Sequence, residues 1–431
     1  MTEELDTLLQ NFLNPSSISK LIIPEREHGS KSQRGNCLTT IREKTSGFSA
    51  SFKILNRDLR LIFTSNLVGA FGDGLYAYLL PYYMTEALGA SSVEVGALYA
   101  LTSLTAALTL LAAGALADKY DRKKIMIAGW VAWIPTPLIF AFARNWVQMV
   151  PGMLLWGFWL GGPTSTAYIV TAADKDRLTL TFTVISSAWS LGYIFSPAVG
   201  GYIAGKVGMQ TVFLVSFVLY TLATLILAFI RSQHVKPPEE EKLEGYPSTL
   251  TLLKTGKLVA ISAFFAATMF VLMMYRPFVP KFLADIHNYG DFEIGVFGSI
   301  AFAGSAVLGI ALGRLGDKHG KKFALAVLMM LCSFSLAVIL LTGNFYLLAL
   351  AFFLTGASYT VWSLMSAIIG PMAPEPIRAR WISIPQTISM FASILAPYLG
   401  GVLYNTSPNM PFAFAIVMTV ALTLITLFQK F

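Results

Sequence analysis

Gly114-Ala-Leu-Ala-Asp118-Lys119-Tyr-Asp121-Arg122-Lys123-Lys124 and Gly313-Arg-Leu-Gly-Asp317-Lys318-His319-Gly320-Lys321-Lys322 are two copies of one pattern, 199 positions apart. Each sets a glycine one helical turn before an aspartate and follows it with a basic cluster. The register extends outward on both sides. Pro81 recurs as Pro280, Glu94 as Glu293 and Gly96 as Gly295. Further on, Ser196-Pro197-Ala198-Val199-Gly200-Gly201 returns as Ala396-Pro397-Tyr398-Leu399-Gly400-Gly401. A register held that long implies two like halves. In an apolar chain, such halves place a substrate site at their interface, near the bilayer midplane.

The chain is apolar enough for that reading. Of its 431 residues 55% are hydrophobic and 13% charged, with a mean hydropathy of +0.64. A soluble domain carries about 25% charged residues. A helix needs about 20 apolar residues to cross the hydrocarbon. Twelve such spans are expected, from about 61–83 to 411–428. The fold class implied is an all-α membrane protein, with twelve transmembrane helices in two pseudo-symmetric six-helix bundles. The expected divisions are a polar tail over 1–57, a bundle over 58–230, a linker over 231–257 and a bundle over 258–431. The linker holds Pro237-Pro238-Glu239-Glu240-Glu241-Lys242 and few large apolar residues. The tail is polar, with no secretory apolar core. Its Leu5–Leu13 segment could lie as an amphipathic helix on the membrane.

The net charge of +8 does not call for nucleic acid, because the basic residues sit between apolar spans as topology signals. With the amino terminus placed in the cytoplasm, the outer side carries only Arg144, Lys206, Arg276 and Lys281. Both termini are therefore expected to be cytoplasmic, in a multi-pass protein of the plasma membrane. Cys37 and Cys332 lie in a polar tail and an apolar span, and no structural disulfide is expected. There is no Gly-x-x-x-x-Gly-Lys-Ser/Thr loop for ATP. His28, His234, His287 and His319 all fall in loops or tails. No enzyme chemistry, cofactor or metal site is implied. The acceptor-like triplet Asn405-Thr406-Ser407 sits too close to the membrane to expect a glycan.

The paired loop resembles the signature of the major facilitator superfamily, and the resemblance covers about residues 55 to 430. It implies that the loops latch the two halves together on the cytoplasmic side. Gly114, Asp118 and Arg122 would form one latch, and Gly313, Asp317 and Lys321 the other. Asp118 would engage the chain near Trp381, and Asp317 the chain near Leu178. Asp121 departs from the family pattern, which has glycine there. Aspartate tolerates left-handed backbone better than most residues, so the same turn is expected. Gly192, Pro197, Gly200 and Gly201 resemble the helix-5 motif of family antiporters, and Pro397, Gly400 and Gly401 repeat it in helix 11. Small residues with proline let helices approach and bend. Helix 4 lacks the arginine that family proton antiporters often carry.

By the same resemblance, helices 1, 4, 7 and 10 line the cavity. Asn66, Asp73 and Tyr76 share one stripe of helix 1 at 100° per residue. Asp73 lies eight residues before Pro81, roughly 12 Å below the outer end. A carboxylate that deep would carry a proton, bind a cationic group or serve as a satisfied structural group. Arg276 on helix 7 lies about one turn further out and would either pair with Asp73 or snorkel to the interface. Trp156 and Trp159 on helix 4, with Tyr359 and Trp362 on helix 10, would form facing aromatic walls for an apolar or amphipathic molecule. The expectation is a monomeric secondary transporter that exports small amphipathic or aromatic compounds against protons, like a multidrug efflux carrier. Uptake of a sugar or organic acid is the first alternative. A non-transporting membrane sensor is the second.

Overall fold

The computed structural model describes residues 52, 55–233, 256–369, 372 and 378–428, with every side chain in them except those of 111, 114, 115, 117–119, 163, 176, 179, 378–380 and 428. The expected tail and most of the expected linker lie outside these residues, as does the amphipathic Leu5–Leu13 segment.

Every regular element among the described residues is helical. In chain order they are α1 (Arg57–Ala77), α2 (Leu80–Glu86), α3 (Ser92–Lys119), α4 (Arg122–Trp133), α5 (Pro135–Phe142), α6 (Val150–Trp156), α7 (Gly161–Ala172), α8 (Leu178–Val207) and α9 (Met209–Ala228). They continue with α10 (Gly256–Tyr275), α11 (Val279–His287), α12 (Asp291–His319), α13 (Lys321–Leu341), α14 (Phe345–Thr355), α15 (Val361–Ile369), α16 (Arg378–Thr406) and α17 (Met410–Phe428). Short 3-10 turns over Arg276–Phe278 and Gly356–Thr360 join α10 to α11 and α14 to α15. Ten segments among the described residues are long and apolar enough to cross a membrane. Two expected spans are not among them. The first, α1 with α2, carries Arg57, Asp58, Arg60 and Asp73. The fourth is interrupted between Trp156 and Gly161.

Local chemistry sets the helix starts. Ser91 and Glu94 form a reciprocal capping box at the head of α3, at 3.3 and 2.7 Å. Asn56 caps α1 and Asn344 caps α14 in the same sense. Glycine sets two of the turns. Gly208, between α8 and α9, has φ 89°, and Gly320, between α12 and α13, has φ 95°, a region hostile to a Cβ. Asp121 occupies the place corresponding to Gly320, yet its φ is −55°. The expected left-handed aspartate is therefore not what the first loop uses. Asp121 instead caps α4, its carboxylate accepting from the Lys123 amide at 3.0 Å.

The sequence repeat reappears as a repeat of contacts. α8 packs on α1, and α16 packs on α10. α3 packs on α16, and α12 packs on α8. At these crossings the backbones nearly touch. A Cβ on Gly200 would strike the carbonyl of Leu75, and one on Gly400 the carbonyl of Met274. Likewise Gly201 faces the Asp291 carbonyl, and Gly401 the Ser92 carbonyl. Pro197, inside α8, cannot donate to its own helix, and the neighbouring Ala198 amide donates to Ser299 of α12 at 3.0 Å.

Gly200→Ala is therefore expected to overpack the α8–α1 crossing and cost about 1–3 kcal/mol. Gly205→Ala is the control, since a Cβ there meets nothing within 4 Å. Thermal unfolding in detergent should show a clear drop for the first and no loss for the second.

Candidate functional site

Asp73 sits between two glycines, Gly72 and Gly74, in α1. The missing side chains admit two neighbours. Gly72 lies against Leu219 and Tyr220 of α9, and Gly74 against Tyr193 and Ser196 of α8. That approach delivers the tyrosines to the carboxylate, which is 4% exposed. Oδ1 accepts from Tyr220 Oη, from Trp156 Nε1 at 2.8 Å and from Tyr76 Oη at 3.2 Å. Oδ2 accepts from Tyr193 Oη. The Tyr76 and Tyr220 hydroxyl oxygens stand 2.9 Å apart, so either proton can turn from the carboxylate to the neighbouring hydroxyl. An unpartnered buried carboxylate would cost several kcal/mol. Here four neutral donors from α1, α6, α8 and α9 hold it, and no ion pair to Asp73 occurs among the described residues.

Arg276 does not pair with Asp73. Its Nη2 donates to Ser358 Oγ at 2.7 Å, and its guanidinium carbon stands 4.3 Å from the centre of the Tyr359 ring. Its Nε is buried without a partner. Three rings span the space between acid and base. Tyr193 meets Phe302 of α12 at 4.8 Å, and Phe302 meets Tyr359 at 4.9 Å between centroids. Trp362 is half-buried and joins neither group.

The expected common face of Trp156 and Trp159 does not form, because the chain leaves the helix between them. Trp156 turns to Asp73, whereas Trp159 joins Trp130, Trp133 and Trp189. These four indoles close a ring. Successive centroids lie 5.5 Å apart for Trp130–Trp133, 5.4 Å for Trp133–Trp159, 6.1 Å for Trp159–Trp189 and 6.4 Å for Trp189–Trp130. They line a cavity of about 180 Å³, together with Asn66, Ser165 and Ser186. Asn66 and Asp73 thus serve two neighbouring sites. Trp130, Trp133 and Trp189 were not legible as site residues, since they come from the third and fifth spans. The spacing of Trp130 to Trp133, three residues on one helix face, was the available signal.

In the first loop, Arg122 is 8% exposed and donates through Nη1 to the Ala167 carbonyl at 2.9 Å, Thr171 Oγ1 at 2.7 Å and Gln233 Oε1 at 2.9 Å. Asp121 accepts from Ser232 Oγ and from the Gln233 amide at 3.1 Å. Both residues therefore pin the chain after α9 to α4 and α7. The repeat holds again, for Lys321 Nζ donates to the Ala367 carbonyl at 2.6 Å. Lysine supplies one such bond where arginine supplies three. Asp317 is exposed and has no hydrogen bond or ion pair among the described residues. The Asp118 side chain lies outside them.

Tyr220→Phe removes one donor from the carboxylate and is expected to cost about 1.5–3 kcal/mol. In an Asp73→Asn background the same change should cost much less. A double-mutant cycle of unfolding free energies checks this, and equal costs in both backgrounds would contradict the arrangement.

The family model of the Major Facilitator Superfamily matches residues 62–278 and 259–430 of the chain. A multidrug resistance efflux pump PmrA homolog of Lactococcus lactis is 26% identical over 74% of this chain and 82% of its own. Multidrug resistance protein 2 of Bacillus subtilis is 24% identical over 86% of this chain and 95% of its own. Among solved structures, the nucleoside transporter NupG superposes with a TM-score of 0.69 at 15% identity, over 87% of this chain and 100% of its own. A bacterial homolog of the lysosomal transporter Spinster gives 0.69 at 16% identity, over 93% and 97%. These two likenesses speak for the fold.

Proposed function

Because the chain belongs to the major facilitator superfamily, we propose that it is a twelve-helix carrier whose two six-helix halves work by alternating access, exporting small amphipathic or aromatic compounds in exchange for protons. The names of the relatives support the class of cargo. The observation that carries the proton is Asp73. A deep carboxylate held by neutral donors, with no cation partnered to it among the described residues, is free to change its charge without breaking an ion pair.

The orientation read from Lys and Arg puts both termini in the cytoplasm. The ends of α3, α8, α12 and α16 that bear Ser92, Gly201, Asp291 and Gly401 are then the outer ends. Their glycine crossings, and the Lys281–Glu86 ion pair at 3.5 Å, support a state closed to the outside. The cavity among the tryptophans would then open toward the cytoplasm, where an exporter collects its cargo. Asp118 and Asp317 would take up their latch contacts in the opposite state, in keeping with an exposed Asp317 here.

Arg276 supports the alternative reading of organic-acid uptake, since it has no acidic partner among the described residues. Flux into proteoliposomes under an imposed pH gradient separates the two. Counterflow of lipophilic dyes is expected, and Asp73→Asn should lower it at least about tenfold, the loss of an essential proton carrier. Co-directional movement of an organic acid with protons, lost in Arg276→Gln, would overturn export.

A further inference from the structure

Helices 4 and 10 both break, at places that the repeat makes equivalent. α6 stops at Trp156 and α7 starts at Gly161, while α14 stops at Thr355 and α15 starts at Val361. Each break opens on a glycine pressed against the backbone of a neighbouring helix. A Cβ on Gly157 would strike the Thr102 carbonyl of α3, and one on Gly356 the Ala301 carbonyl of α12. Beyond these glycines the two breaks are built differently. The second stays wound as the 3-10 turn Gly356–Thr360. The first leaves helical geometry over 158–160.

A chain that leaves a helix inside a bilayer frees backbone groups that lipid cannot satisfy. Two buried side chains take them up here. Thr109 of α3 accepts the Trp159 amide at Oγ1, at 2.9 Å. Its own proton lies within reach of the Thr105 carbonyl at 2.8 Å and of the Gly157 carbonyl at 3.4 Å. Trp133 of α4 donates from Nε1 to the Phe158 carbonyl at 2.9 Å. The repeat does not require these bonds. Leu308 and Cys332 stand at the matching places of the second half. Leucine has no polar group to offer and a thiol is a weak donor, and there the chain winds. The two stitches are thus a property of the first break.

The unwound stretch separates two indoles. In a continuous turn, α or 3-10, Trp156 and Trp159 would lie three residues apart on one face. Here Trp156 turns its Nε1 to Asp73 Oδ1 at 2.8 Å, and Trp159 lines the cavity with Phe158 and Trp133. Without the Thr109 hydroxyl, the Trp159 amide regains a partner in its own chain by winding, as Gly356–Thr360 does. Winding brings both indoles back to one face, and one of them must leave its place. We propose that Thr109 and Trp133 are positioning residues that hold this break open, fixing Trp156 on Asp73 while Trp159 faces the cavity. Thr109 is not among the residues that line the cavity, and it acts through the backbone of 157–159. Its effect on transport rests on the exporter reading above, and its effect on Trp156 does not.

Ultraviolet resonance Raman spectra of the full-length protein in detergent test this, since indole bands report the strength of the N–H hydrogen bond. Each variant is read against the same variant carrying Trp156→Phe, which isolates the Trp156 signal. In the parent that signal should show a strong bond, as for donation to a carboxylate. Thr109→Val and Trp133→Phe should each weaken it, and Thr109→Ser, which keeps the hydroxyl, should restore it. In proteoliposomes Thr109→Val should raise KM for an exported dye at least about tenfold, as for a binding group displaced by about 1 Å, with Vmax held within about twofold. Thr109→Ser should return KM to the parent value. An unchanged Trp156 signal in Thr109→Val or in Trp133→Phe would overturn the proposal and leave the two bonds as packing alone, whatever the melting temperatures. Should Thr109→Val not fold, Trp133→Phe gives the same reading. A shifted signal with an unchanged KM would overturn the role in transport. If the signal shifts while the parent exports no dye, the positioning stands and the exporter reading fails.

Discussion

One buried carboxylate organises the first part of this chain. Asp73 is held by four neutral donors from four helices, and each donor is placed by a different feature of the sequence. Gly72 and Gly74 let α9 and α8 come close. The helix break after Trp156 turns an indole N–H inward. Tyr76 lies one turn along the same helix. Taking the charge away or adding a proton to it alters all four contacts at once. Neutral donors suit that task better than an arginine would, because an ion pair resists protonation in proportion to its strength.

Around this group the duplicated sequence builds duplicated contacts. Gly200 on the Leu75 carbonyl matches Gly400 on the Met274 carbonyl, and Arg122 on Ala167 matches Lys321 on Ala367. Within lipid, apolar side chains gain little by leaving one apolar medium for another. Close backbone packing and satisfied hydrogen bonds must hold the helices instead, and small residues at fixed spacing supply the first. The chemistry is not duplicated. Asp73 has no acidic counterpart, since Leu272 stands at the matching place. Arg276 carries the charge on the other side, joined to Asp73 through Tyr193, Phe302 and Tyr359.

Ten of the spans, the repeat and the burial of Asp73 were legible because they depend on local composition and on periodicity. The glycine crossings were legible as motifs, though not as pairs. What escaped was decided by contacts between helices. Tyr193 and Tyr220 look like any aromatic residue in a span until α8 and α9 are laid against α1. The pairing of Trp156 with Trp159 failed because a helical wheel assumes an unbroken helix, and the chain between Trp156 and Gly161 is not one. Asp121 was read through the backbone freedom of aspartate, whereas its side chain does the work by capping α4 and holding Ser232 and Gln233.

The central claim is that Asp73 is the group that gains and loses the proton while its tyrosines follow. Infrared difference spectroscopy of the purified protein between mildly alkaline and mildly acidic pH addresses it directly. A protonated-carboxyl stretch should appear on acidification together with shifted tyrosine bands, and both should vanish in Asp73→Asn. The same carboxyl and tyrosine signals persisting undiminished in Asp73→Asn would place the proton elsewhere and contradict the account.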